Sequence, residues 1–293
     1  MQSTSFREKR ETMTRLLITG AAGNMGAMLR PLLRRPDRTL RLFDIAEIAD
    51  IDSATEEFVQ GSVTDRAAVA AAVDGVDAIL HLGGLSTEDS WANILSINVD
   101  GTQAIFDAAV AHGVTRVVTA SSNHAVGFWT HDEAAGQPLP GDVSPRPDGF
   151  YGWSKAAVEA LGRMYHDRFG IDVVNLRIGS SFEKPPNYRG LASWMSPADT
   201  ARLVEASLSD NAKGFHTVWG ISKNTRAWWS GAEGAAIGYR PMEDAEQFAE
   251  EGDDDEDHRV AHRVAQTVHG RGARRIRHRE GFGASHHDAV RDD

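Results

Sequence analysis

Tyr151 and Lys155 stand four residues apart in Phe150-Tyr-Gly-Trp-Ser-Lys155, a spacing that puts both side chains on one face of a helix. A free phenol titrates near pH ~10 and is a poor base at neutral pH. An ammonium group one helical turn away favours the phenolate. Tyr151 is therefore the candidate to take a proton from an alcohol while a hydride leaves the same carbon. Lys155 can also hold the ribose of a nucleotide. By itself a Tyr-x-x-x-Lys pair is a common accident of a solvated helix face. Here it follows an apolar strand ending in Ser121-Ser122, in a chain that also carries a phosphate-binding signature.

That signature is Thr19-Gly20-Ala21-Ala22-Gly23-Asn24-Met25-Gly26, which follows a strand and opens a helix. Glycine permits the tight turn, the close approach of backbone to a pyrophosphate, and close packing of helix on strand. The helix N-terminus offers free N–H groups and the positive end of its dipole. Gly20, Gly23, Asn24, Met25 and Gly26 are thus candidate cofactor contacts. Asp44, at the end of the second strand, can accept bonds from adenosine ribose hydroxyls and would repel a ribose phosphate, which favours NAD over NADP. Its alternative is a plain strand-terminal acid. Leu82-Gly83-Gly84 closes the fourth strand, where backbone can again pass close to the cofactor.

These groups need a scaffold, and the hydrophobic pattern provides one. Short apolar runs alternate with helical stretches, the mark of a parallel sheet covered on both faces. Strands are expected at Arg15 to Thr19, Leu40 to Asp44, Glu57 to Gln60, Ala78 to Leu82, Val117 to Ala120 and Val173 to Ile178. Helices are expected at Gly26 to Leu33, Trp91 to His112 with Gly113 as C-cap, and Phe150 to Phe169 closed by Gly170. Beyond Ile178 the expectation is a loop from Ser180 to Met195 and a helix starting at Ser196-Pro197-Ala198-Asp199. A strand at Phe215 to Trp219 and a short helix from Ala227 to Ile237 follow. The fold class is α/β, a Rossmann-type doubly wound parallel sheet with a small C-terminal substrate-binding portion, and ligands sit at the carboxyl ends of its strands. The chain divides into an N-terminal extension at 1–13, a nucleotide-binding core at 14–178, substrate-binding loops and helices of the same domain at 179–250, and a tail at 251–293 whose composition predicts disorder. His286-His287 in that tail invites a metal reading, which its low-complexity surroundings argue against; no metal is expected.

Composition narrows the partners. The 293 residues carry 31 Lys and Arg against 42 Asp and Glu, a formal net charge of -11. That balance argues against nucleic acid or an anionic membrane as partner. No cysteine is present, which removes disulfides, thiolate nucleophiles and zinc–sulfur sites. No apolar run approaches the ~20 residues of a membrane span, and the first residues lack the core of a secretory signal, so a cytoplasmic location is expected. The sequence leaves oligomeric state open, a homo-oligomer among the possibilities.

From about Thr14 to Tyr239 the chain resembles the extended short-chain dehydrogenases, the NAD-dependent epimerase/dehydratase family. Within it, Ser121-Ser122-Asn123-His124, Arg146-Pro-Asp-Gly-Phe-Tyr151-Gly-Trp-Ser-Lys155, Arg177-Ile-Gly-Ser180, Pro186-Asn187-Tyr188-Arg189, Leu191-Ala-Ser-Trp194 and Val218-Trp219-Gly220 resemble the uronate dehydrogenases. The resemblance implies oxidation of the anomeric carbon of glucuronate or galacturonate by NAD, giving an aldarolactone and NADH. It casts Tyr151 as base, Lys155 as its electrostatic partner and Ser122 as donor to the reacting oxygen. Ser86, Asn123, His124 and Ser180 would bind sugar hydroxyls, and Arg189 the sugar carboxylate, whose planar geometry a guanidinium fork matches. Two plainer readings stay open: His124 as a strand-end histidine satisfied by backbone, and Arg189 paired with a structural acid. The family places an acid after the third strand, where this chain reads Gly61-Ser62-Val63; Ser62 and Val63 are the expected cofactor contacts there. The tail also departs from the family pattern. Alternatives on the same scaffold are a dehydrogenase of another aldose such as glucose 6-phosphate, a nucleotide-sugar epimerase or dehydratase, and a non-catalytic NAD-sensing module.

Overall fold

The structure, a computed structural model, describes residues 14–249. The expected extension at 1–13 and tail at 251–293, with His286 and His287, lie outside the described residues.

Leu16 and Ile18 point to one side of the first strand and Leu17 to the other, and all three are buried, so both faces of this strand need a cover. The chain supplies it by alternating β1 (Thr14–Thr19), α1 (Asn24–Leu32), β2 (Arg38–Asp44), β3 (Glu56–Gln60), α2 (Arg66–Val73) and β4 (Ala78–His81). A helical stretch then runs through α3 (Trp91–Asn93), a π-helical turn (Ile94–Asp100) and α4 (Gly101–His112). After it come β5 (Arg116–Ser122), α5 (Phe150–Phe169) and β6 (Asp172–Ile178), then β7 (Ser180–Ser181), α6 (Gly190–Ser193) and β8 (Trp194–Met195). The last elements are α7 (Pro197–Leu208), β9 (Phe215–Gly220) and α8 (Ala232–Ala236). Seven strands form one sheet in the order β3-β2-β1-β4-β5-β6-β9, each paired parallel with its neighbour. The order in which strands are added reverses between β1 and β4, which opens the crevice in which ligands of such sheets sit. On one face Leu16, Ile18, Leu40 and Leu80 pack with Leu29, Leu203 and Val204. On the other, Leu17, Phe43, Ile79 and Val117 pack with Ile105, Phe106 and Tyr165.

Local structure departs from expectation at several points. The helix expected at Trp91 to His112 is widened into a π turn at Ile94–Asp100. Buried Asn98 lies in that turn, and its side chain accepts from Leu85 N at 2.7 Å and donates to Leu85 O at 3.1 Å and Ser154 Oγ at 3.0 Å. A π turn reaching two neighbouring segments at once is a recurrent feature of functional helices. No element was expected between Gln60 and Ala78, yet α2 forms there, its start capped by Asp65 accepting from Ala67 N and Ala68 N. The loop expected at Ser180 to Met195 contains α6 and the short pair β7–β8, anchored by fully buried Trp194. The helix expected from Ala227 to Ile237 shrinks to α8, because Trp228 and Ser230 are taken up by backbone bonds with Leu139, and Trp229 packs on Trp219. Ser196 caps α7 with Pro197 in its first turn, as expected.

Beneath β5, a fully buried ion pair ties α5 to β6. Arg177 Nε and Nη2 donate to the two oxygens of Glu159 at 2.9 and 2.8 Å, and Ser121 Oγ donates to Glu159 Oε1 at 2.6 Å. Both side chains are under a tenth exposed. Glu159 lies one turn beyond Lys155 on α5, so the pair fixes how that helix seats against the strand bearing Ser122. Glu159→Ala strands the Arg177 cation in the core and is expected to destabilise the fold by about 3–5 kcal/mol. Urea unfolding checks this; a loss under about 1 kcal/mol would mean the pair is not structural.

Candidate active site

Every candidate cofactor, catalytic and substrate residue lines one cleft of about 850 Å³ at the carboxyl ends of β1 to β6. At its nucleotide end the turn after β1 is tight. Gly20 sits at φ +69°, and a Cβ there would meet Gly83 N at 2.7 Å; a Cβ on Gly26 would meet Gly20 O at 2.5 Å. Only glycine lets the start of α1 close onto the β1 turn and the β1 turn onto Gly83. Helix α1 begins at Gly23 with no side-chain cap, which leaves its first N–H groups facing the cleft. At the end of β2 the Asp44 carboxylate is held by Ala22 N at 2.9 Å and Ala46 N at 3.0 Å. Ser62 and Val63 follow β3 into the same cleft, and Ser62 Oγ pairs with Thr64 Oγ1 at 2.8 Å. Such a cradle fits a dinucleotide: a glycine turn, an open helix N-terminus and a fixed acid at the ribose position.

The other end is built from β5 and α5. Lys155 is buried, and its Nζ donates to Ala120 O at 2.7 Å while lying 5.5 Å from the centre of the Tyr151 ring. Burial pulls the Lys155 ammonium down to about 8. Tyr151 moves the other way: burial pushes its phenol up, the Ser122 hydroxyl pulls it down, and the Asp148 carboxylate pushes it up again. Burial is the largest of these influences on the phenol. Ser122 Oγ accepts from His124 N at 3.2 Å and donates to Asn123 Oδ1 at 3.1 Å. Ser180 Oγ pairs with Ser193 Oγ at 3.0 Å. His81, below the cleft floor, is bonded through Nδ1 to Thr19 Oγ1 and through Nε2 to Thr102 Oγ1; complete burial lowers it to about 3 and keeps it neutral.

The two plainer readings resolve differently. The His124 ring is not satisfied by backbone: its Nδ1 bonds Asp148 Oδ2 at 2.8 Å. Arg189 sits exposed after β7, and its guanidinium bonds no other described residue, so it is not the partner of a structural acid among them. Its loop is steadied from outside the cleft by Arg226, stacked on Tyr188 at 5.2 Å and paired with Glu246 at 2.8 Å. Sequence reasoning missed three supporting groups. Asn98 holds the Leu85 backbone, Glu88 accepts from Phe150 N and Tyr151 N at 2.9 and 3.0 Å, and Asp148 backs His124. Only Asp148 left a sequence signal, as an Asp-Gly pair just ahead of a helix start. Among the described residues no helix is long and apolar enough to cross a membrane.

Comparison with known proteins places this architecture. A family model described as the NAD dependent epimerase/dehydratase family matches residues 16–237. A uronate dehydrogenase from Pseudomonas putida is 42% identical over 234 residues, covering 80% of this chain and 86% of that protein. An NAD-dependent glucose-6-phosphate dehydrogenase from Haloferax volcanii is 41% identical over 258 residues, covering 81% and 97%. The crystal structure of a mutant uronate dehydrogenase from Agrobacterium tumefaciens, complexed with NAD, aligns with a TM-score of 0.75 at 42% identity, covering 81% of this chain and 88% of that one.

Proposed function

This chain belongs to the NAD dependent epimerase/dehydratase family, and from that premise we propose that it oxidises a hexuronate, glucuronate or galacturonate, at the anomeric carbon to the aldarolactone with NAD as oxidant. One observation carries the substrate reading. The cleft that holds Ser122, Tyr151 and Lys155 also holds Arg189, a guanidinium with no partner among the described residues. A sugar that must present an alcohol to the first group and an anion to the second is a sugar acid. Arg189 and Lys155 are the lysines and arginines lining the cleft, and Lys155 is turned to Ala120. A guanidinium fork can grip either a carboxylate or a phosphate, but one cation balances the single charge of a carboxylate and leaves a phosphate dianion half-compensated, which favours uronate over glucose 6-phosphate.

Bound NAD supplies the hydride acceptor and, in its oxidised form, a positive charge at the nicotinamide. The pyrophosphate would lie on Gly20 to Gly26 and the start of α1, the adenosine ribose on Asp44, the adenine beside Ser62 and Val63, and the nicotinamide ribose on Lys155, with Leu82, Gly83 and Gly84 as backbone wall. Tyr151 takes the proton of the anomeric hydroxyl as the carbon loses its hydride. Ser122 donates to the same oxygen and keeps it in place. Lys155, fixed by Ala120 O with its Nζ 5.5 Å from the centre of the Tyr151 ring, would favour the phenolate through its charge. Ser86, Asn123, His124 and Ser180 orient the remaining hydroxyls, and Arg189 grips the carboxylate at the far end of the ring.

Initial rates of NADH formation on glucuronate, galacturonate, glucose, L-arabinose and glucose 6-phosphate test the assignment. The uronates are expected to have the highest kcat/KM; a preference for glucose 6-phosphate would transfer the activity to the other aldose. Cofactor choice follows from Asp44. Its clamped carboxylate opposes a ribose phosphate, so NAD is expected to outperform NADP by at least about tenfold in kcat/KM. Asp44→Ala should narrow that gap, and equal use of both cofactors by the unaltered protein would contradict the role.

A further inference from the structure

Asp148 does not line the cleft; it stands behind His124, which does. A carboxylate has no proton to give, so the 2.8 Å contact between Asp148 Oδ2 and His124 Nδ1 requires Nδ1 to carry the hydrogen. In the neutral ring Nε2 is then left with its lone pair, and Nε2 bonds no other described residue. The space for this arrangement is cleared by two glycines on different segments. A Cβ on Gly127, at the end of the turn after β5, would run into the Asp148 carboxylate. A Cβ on Gly152, in the first turn of α5, would strike both His124 O and the Asp148 side chain. The His124 ring meanwhile stands edge-on to Tyr151, with centroids 5.6 Å apart.

We propose that Asp148 is a positioning residue that fixes His124 as the Nδ1–H tautomer, so that Nε2 serves the cleft as an acceptor for a sugar hydroxyl beside the reacting carbon. This deepens the proposed uronate reading and rests on it. A hydroxyl can turn its lone pairs to a donor or its hydrogen to an acceptor, so the tautomer of His124 sets which way that hydroxyl is turned. The pairing also accounts for glycine at 127 and 152, on either side of the carboxylate.

The test is Asp148→Asn, whose amide can either accept from Nδ1–H or donate to a bare Nδ1 and so no longer selects one tautomer. With glucuronate, KM is expected to rise roughly 3- to 10-fold, the loss of one oriented hydrogen bond. The turnover number should not fall, because the same change removes an anion that opposes ionisation of Tyr151. NAD affinity, measured by titration, should be unchanged. In a His124→Ala background the Asp148→Asn change should add nothing to KM. Nitrogen-15 spectra of the histidine rings give a readout independent of substrate: the unaltered protein should show His124 as Nδ1–H, and Asp148→Asn a mixture. A His124 ring protonated on Nε2 in the unaltered protein, or an Asp148→Asn effect that persists in the His124→Ala background, would overturn the inference. If glucuronate yields no NADH at all, the uronate reading fails, while the tautomer spectra still decide Asp148.

Discussion

Tyr151→Phe is expected to lower kcat on glucuronate by roughly 10²- to 10⁴-fold while NAD still binds. The substitution removes one hydroxyl and keeps the ring, so the burial of the side chain and its edge contact with His124 persist. Lys155 stays anchored at Ala120 O, and the glycine turn with Asp44 is untouched. What goes is the proton acceptor, and with it an interaction made chiefly in the transition state. Such a loss appears in kcat and kcat/KM together, with little change in ground-state binding. Because burial lifts the phenol above its ordinary range, the rate of the unaltered enzyme should climb with pH as Tyr151 ionises, and Tyr151→Phe should lose that climb. Steady-state kinetics across pH, with NAD titration alongside, check both parts. Residual turnover within about tenfold of the unaltered enzyme would remove Tyr151 from the role of base.

Arg189→Ala carries the second large effect, and it falls on the substrate rather than on the chemistry. The guanidinium has no partner among the described residues to replace, so its full fork is available to a ligand. Losing a charge-assisted bidentate contact is expected to cost about 2–4 kcal/mol of transition-state binding, roughly 30- to 1000-fold in kcat/KM for a uronate. Arg189→Lys keeps the charge but not the planar fork and should lie between the two. Glucose, which has no carboxylate, should be turned over equally well by Arg189→Ala and by the unaltered enzyme. That selectivity separates a binding role from damage to the cleft. Unchanged uronate efficiency in Arg189→Ala would withdraw the carboxylate contact.

Much of this architecture is readable in the residues, for physical reasons that also mark where reading stops. A strand buried on both faces must be apolar throughout, so Leu16-Leu17-Ile18 and Val173-Val174 announce themselves without periodicity. Helix α5 begins and ends where Phe150 and Gly170 place it, because Gly170 adopts φ +73° as its cap. The candidate site is legible where one residue type meets one backbone need, as at Gly20 and Gly26, or where two groups sit one turn apart, as Tyr151 and Lys155 do. Asp148 shows only as an Asp-Gly pair before a helix start, and Glu88 and Asn98 lacked any such pattern. They act through partners 24, 62 and 13 residues away, and no local spacing encodes such a contact. The acidity of Tyr151 is legible only in part for the same reason. Adjacency to Lys155 is visible in sequence, whereas the burial that dominates the phenol exists only once β5 and α5 have packed. The widened turn at Ile94–Asp100 likewise depends on Asn98 finding Leu85 and Ser154, a tertiary demand that a helical pattern cannot announce.

The central claim is that a hydride leaves the anomeric carbon of a hexuronate for NAD while Tyr151 takes the hydroxyl proton. Glucuronate deuterated at that carbon tests it most directly, with the reduced cofactor and the sugar product both analysed by mass spectrometry. The account predicts deuterium in the reduced cofactor, none left at the oxidised carbon of the lactone, and a slower rate with labelled substrate under conditions where chemistry limits turnover. Unlabelled reduced cofactor, or product that keeps its deuterium, would contradict it.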